Sequence, residues 1–181
     1  TVGAAVTISE SGIEASGIGI TCASINGTQI GGRRNKIING AMQVAQRGTS
    51  FTSTGIEITL DRFQHVTGSG YTFDTTTTKD SSAPDGFASS LKITPDATST
   101  PSGSQNGSIQ YQIEGQDVQD FAYGTSSAKQ ITLSFYAKTA SSNNGHQYTL
   151  QLLKHSGASG STNRYQHRAF TVTSSWQRFV M

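Results

Sequence analysis

A single cysteine, Cys22, leaves this sequence no way to close an internal disulfide, and the chain must hold its fold by other means. Cys22 sits in an alternating apolar stretch and is expected as a buried strand thiol, in keeping with assembly in a reducing cytoplasm. Charge is scarce too: Asp, Glu, Lys and Arg make up 13% of the residues, about half the globular average. The net charge of +2 is too small, and its carriers too scattered, to suggest a nucleic-acid partner. The one local basic run is Arg33, Arg34 and Lys36. No stretch approaches the roughly 18 apolar residues of a membrane-spanning helix, so no membrane insertion is expected. No charged-then-apolar leader opens the chain. Thr1 stands where an initiator methionine would, so further residues are expected before it.

Ser and Thr, by contrast, supply roughly a quarter of the residues, and glycine 20. Thr suits a pleated strand, and Ser and Gly suit the turns between strands, so this composition predicts an all-β protein. The stretch from Arg34 to Gly48, RNKIINGAMQVAQRG, marks a change of texture. Ahead of it, residues 1–34 read as a short β-structured arm and connector. Its isoleucines (Ile8, Ile13, Ile18, Ile20, Ile25 and Ile30) fall in period-two pieces separated by Ser-Gly and Asn-Gly turns. Strands this thin cannot bury those side chains within one copy, so an intertwined homotrimeric shaft is expected, with these isoleucines as its core. The alternative is an arm laid onto another protein.

Residues 35–181 read as an antiparallel β-sandwich of seven to eight strands, with no βαβ alternation. A first strand is expected through Ile37, Ile38, Met42 and Val44, with Asn39-Gly40 as a turn or bulge near its start. Gly48 to Thr54 reads as loop, and Ile56, Ile58 and Leu60 as a second alternating piece that ends at Asp61-Arg62-Phe63. Residues 64–86 read as long loops with a short strand at Tyr71 and Phe73, and SLKIT (90–94) as a strand that Pro95 stops. Ser108 to Glu114 alternates cleanly, and Gln116 to Tyr123 suggests one helical turn. Further strands are expected at 131–138, with Ile131, Leu133, Phe135 and Ala137 inward, at 147–155 and at 164–173. A last strand begins at Trp176. It reads as cut off at Met181, its edge left for absent residues or a neighbouring subunit to close.

The runs NKIINGAMQVAQRGTSF, TLDRF, APDGFASSLKIT, IQYQIEGQDVQDFAYGTSSAKQITLSFYAKT and RAFTVTSSWQRF, in this order over residues 35–181, resemble a domain common in bacteriophage virion proteins. It is met most often in tail fibres and related appendages of marine and cyanobacterial phages. That domain is similar to the jelly-roll carbohydrate-binding modules attached to glycoside hydrolases. The resemblance implies a non-catalytic β-sandwich on a virion, often associated with host-surface glycan recognition. Together with the arm, which lies outside the resemblance, the expectation is a trimeric tail-fibre or tail-associated appendage, assembled in the bacterial host cytoplasm, its arm joined to other virion proteins and its sandwich displayed outward. Many such modules hold a structural calcium with an acidic residue soon after the first Asn-Gly. Here Ala41, Met42 and Gln43 follow, so no metal or other cofactor is carried over.

Sugar recognition needs amide and hydroxyl groups beside an aromatic face. The outward positions of the later strands supply Gln110, Gln112, Ser134, Tyr136, Thr149, Gln151, Tyr165 and His167, one stripe if those strands are neighbours. Solvated Gln and Thr on a sheet face are also ordinary. The histidines (His65, His146, His155 and His167) have no metal spacing, and exposed or loop positions are expected for them. Arg62, in the Asp61-Arg62-Phe63 unit, is expected to bridge a carboxylate and pin the loop that follows. Trp176 is expected as core or sheet-edge packing. A depolymerase would need two carboxylates at catalytic separation, and Glu114, Asp117 and Asp120 read equally well as a polar turn. With no GxSxG elbow, P-loop or GxGxxG cradle in context, no catalytic residue is assigned. The rival expectations are a head fibre, capsid decoration or collar protein with a purely assembly role, a fragment of a secreted polysaccharide-degrading protein, and a polysaccharide depolymerase.

Overall fold

The computed structural model describes residues 6–9, 12–15, 24–25, 28–29, 35–53, 55–68, 74–96, 106–154 and 164–181. The chain divides into two compact units, Thr1–Lys36 and Ile37–Met181. In the first, β1 (Val6–Ser9) pairs antiparallel with β2 (Gly12–Ala15), placing Ile8 opposite Ile13. β3 (Ser24–Ile25) pairs with β4 (Thr28–Gln29), and the two residues between them in sequence are Asn26 and Gly27, the pair that favours a two-residue hairpin. Ile18, Ile20, Ile30 and Cys22 lie outside the described residues.

The second unit is all-β, with ten strands among its described residues rather than seven or eight, every pair antiparallel. β5 (Ser50–Ser53), β8 (Thr75–Asp80) and β9 (Ser90–Pro95) form one sheet in the order β5-β8-β9. Pro95 closes an edge strand, where a missing N–H costs no ladder bond. β6 (Glu57–Ile58), β7 (Phe63–Thr67) and β10 (Gly107–Tyr111) form a second sheet with β7 central. β11 (Ser134–Ala137) pairs with β14 (Gln177–Val180), and Leu133 and Met181 exchange both backbone hydrogen bonds at its end, 2.8 and 2.9 Å. Within that pairing is nested the long ribbon of β12 (His146–Lys154) and β13 (Arg164–Val172). Gly115–Phe121 forms the expected helical turn, of 3₁₀ type.

Several expectations are corrected. Ile37 to Val44 is a turn-rich loop, not a strand, because Asn39 and Met42 take positive φ (58° and 56°), which strands do not tolerate. The expected loops at 48–54 and 64–86 contain β5, β7 and β8. Their Thr-rich runs carry little apolar signal, yet Thr75 and Thr77 are buried on the inner side of β8. Tyr71 and Phe73 lie outside the described residues. Of the trio Ile56, Ile58 and Leu60, only Leu60 is buried, and Ile56 is 68% exposed. Ile131, expected inward, precedes its strand and is exposed.

Apolar contact between the last two sheets runs through aromatic rings. Phe170 of β13 stands 5.2 Å from Phe135 of β11 and 4.9 Å from Phe179 of β14, and Tyr148 of β12 adjoins Phe170 at 6.1 Å. Tilted and edge contacts of this kind add to simple area burial. Val172, at the same end of the ribbon, is buried.

Candidate functional site

Asn39 organises a concave surface of the second unit. Its left-handed backbone is tolerated because Asn pays little for that region and its side chain bonds locally. Nδ2 donates to the carbonyls of Val44 and Asp61, and Oδ1 accepts the Val44 N–H, all at 2.9 Å. Asp61 Oδ2 in turn accepts the Gln46 N–H at 2.7 Å. These bonds hold the 38–47 loop against the tight turn from Leu60 to Phe63, which closes by a 2.8 Å hydrogen bond from the Phe63 N–H to the Leu60 carbonyl. Arg62 occupies the positive-φ position of that turn, at 75°.

Between loop and sheet lies an open groove of about 580 Å³. Ile38, Val44 and Ile58 give it an apolar side. Gln64 of β7 sits directly opposite Gln110 of β10, and Gln112 follows two residues on, so three amides line the other side. The side-chain amides of Gln64 and Gln112 have no hydrogen-bond partner among the described residues, while that of Gln110 donates to Ser108 Oγ at 3.3 Å. Arg47 stands exposed at the rim.

The carboxylates here have structural employment. Glu114 Oε1 accepts Arg62 Nη1 at 2.7 Å, the bridge expected of Arg62, and Glu114 Oε2 accepts Gln116 Nε2 at 2.8 Å. The Arg62 guanidinium also lies 5.7 Å from the centre of the Tyr111 ring. Glu114 first, then the Tyr111 hydroxyl, hold Arg62 protonated more firmly than usual. Tyr111 Oη accepts the Ile38 N–H at 2.9 Å, tying the groove loop to β10.

The eight expected glycan contacts do not form one stripe, because β10 pairs with β7, β11 with β14, and β12 with β13. Gln110 and Gln112 line the groove. Ser134 and Tyr136 face outward on β11, with Tyr136 opposite Arg178. Thr149, Gln151 and His167 are exposed on one side of the β12–β13 ribbon, Gln151 opposite His167, and position 165 falls on the same side. Sequence reasoning missed Asn39 as an anchor, and Gln64 and Arg47 as lining, although Asn39-Gly40 signalled a turn.

His65 also departs from expectation. It is a strand residue, 2% exposed, and its Nδ1 has no partner, so burial lowers its pKa from 6.5. His146 and His167 are exposed but lie in strands, and His155 is outside the described residues. Among the described residues no three His, Cys, Asp or Glu gather as a metal-binding set, and no helix is long and apolar enough to cross a membrane. Comparison of the chain with profiles of protein families, with curated proteins and with solved structures finds no match.

Proposed function

We propose that this protein is a non-catalytic bacteriophage virion appendage, a tail-fibre or tail-associated component, that attaches to glycan on the host surface. The observation that carries the reading is the open groove with unpartnered Gln64 and Gln112 facing an apolar wall. Amides that make no bonds of their own are suited to sugar hydroxyls, and the apolar side to sugar C–H groups. Asp61, which lines the groove, and Glu114, which is bonded to the lining residue Arg62, are engaged by Gln46, Arg62 and Gln116, which favours binding over hydrolysis. The phage-like motifs over residues 35–181 supply the virion setting. A jelly-roll arrangement of the ten strands belongs to this reading. It is favoured by the nesting of β12–β13 inside the β11–β14 pairing and of β6–β7 inside β5–β8. So does a trimer built through the isoleucines of residues 1–34, with that arm joined to other virion proteins.

The test is a glycan array of host-surface polysaccharides probed with the full chain. Gln64→Ala with Gln112→Ala should weaken the best glycan about tenfold or more, the effect of losing well-placed hydrogen bonds. No glycan bound, or unchanged affinity in that variant, overturns the groove. Release of reducing ends from the bound polysaccharide would instead make the protein a depolymerase. A second reading, an assembly role on head or collar, is favoured by Leu152 and Leu153. They are adjacent on β12, point to opposite sides of the ribbon and are both at least 40% exposed.

A further inference from the structure

We infer that the outward face of β11–β14 is a second binding surface, specific for acidic polysaccharide. All eleven Asp and Glu residues lie at or before Asp120, whereas six of the thirteen Lys and Arg residues lie after it. The strands β11 to β14 are therefore built from a purely cationic stretch, a segregation that the small net charge conceals.

On the outward face this charge meets exposed aromatic surface. Gly86, at φ 86°, makes the Pro84–Phe87 turn, which the Phe87 N–H closes onto the Pro84 carbonyl at 3.0 Å. That turn sets the Phe87 ring 5.7 Å from Tyr136, and both residues are 41% exposed. Lys138 Nζ lies 5.2 Å from the Trp176 ring centre and donates to Ser82 Oγ at 2.7 Å. Arg178, opposite Tyr136, reaches Ser134 Oγ at 3.4 Å. Neither cation has a carboxylate partner among the described residues. Lys138 and Arg178 are diagonal neighbours across the ladder, and their charged ends lie on either side of Tyr136, Lys138 toward Trp176 and Arg178 toward Ser134, so a chain crossing Tyr136 meets a cation on each side. With a sugar ring on Tyr136 and Phe87, acidic substituents along the chain would fall beside them.

The occupant is a polysaccharide, a choice that rests on the attachment reading above. Isolated cations separated by hydroxyls and aromatic rings match a chain with one acidic group per sugar better than the dense charge of a nucleic acid. Free carboxylates and sulfate monoesters share this chemistry.

The experiment measures affinity of the full chain for polygalacturonate, dextran sulfate, neutral dextran and a single-stranded DNA oligonucleotide. At least one of the two acidic polysaccharides should bind, with affinity that falls as salt rises, and dextran should not. Which one binds identifies the acidic group. Arg178→Gln and Lys138→Gln should each weaken that binding about tenfold. Lys129→Gln, an equal change of charge elsewhere, should leave it intact. Gln64→Ala with Gln112→Ala should also leave it intact while weakening the groove's own glycan, which separates the two surfaces. Equal loss in Lys129→Gln, loss only in the groove variant, no acidic polysaccharide bound, or DNA bound as tightly would each overturn the proposal.

Discussion

Asn39 and His65 make opposite demands on their surroundings. Three side-chain hydrogen bonds and a left-handed backbone meet at Asn39, so Asn39→Ala should cost about 2–3 kcal/mol, read as a lower urea midpoint with unchanged slope. It should also loosen the groove. His65 is buried without a partner for Nδ1, and its charged form is disfavoured in the fold. With the folded pKa below the unfolded value of 6.5, the unfolded chain binds more protons in that window. Stability is therefore highest above 6.5 and falls as the pH drops below it, which denaturation between about pH 7.5 and about pH 5.5 would register. His65→Leu should flatten that slope, and a slope unchanged in the variant would assign the effect to other groups. Neither role was legible in the residues alone. Histidine type does not report burial, and Asn39-Gly40 announced a turn without the partners it would find.

Elements were legible where apolar and polar residues alternate, as at Ser108 to Tyr111, Ser134 to Ala137 and Arg164 to Val172. They were illegible where threonine does the work of both faces. β8 buries Thr75 and Thr77 while the Thr76 hydroxyl, on the other side, donates to Asp96 Oδ2 and shares a hydrogen bond with the Thr52 hydroxyl, and no hydropathy pattern separates Thr75 to Thr78. Which strands pair is set by long-range contacts, so the expected stripe of amides and hydroxyls fell into three surfaces. The aromatic joint between the last two sheets centres on Phe170, which meets Phe135, Tyr148 and Phe179. Phe170→Ala should destabilise the protein by about 3 kcal/mol in chemical denaturation. Phe170→Leu, which retains most of the apolar volume, should recover much of that loss.

At the scale of the whole molecule, the trimer proposal makes its own prediction. The full chain should sediment as a trimer, and a chain lacking residues 1–34 as a monomer with its far-ultraviolet spectrum retained. A monomeric full chain would remove the shaft from the reading and leave the groove untouched. The nested strand pairs carry a kinetic consequence as well. Closing β11 onto β14 first would loop out everything between Ala137 and Gln177, whereas zipping β12 with β13 beforehand shortens that loop and lowers its entropic cost. The inner ribbon is thus expected to form earlier on the route to the native state. Substitutions along it should slow refolding, and substitutions in the outer pair should chiefly hasten unfolding.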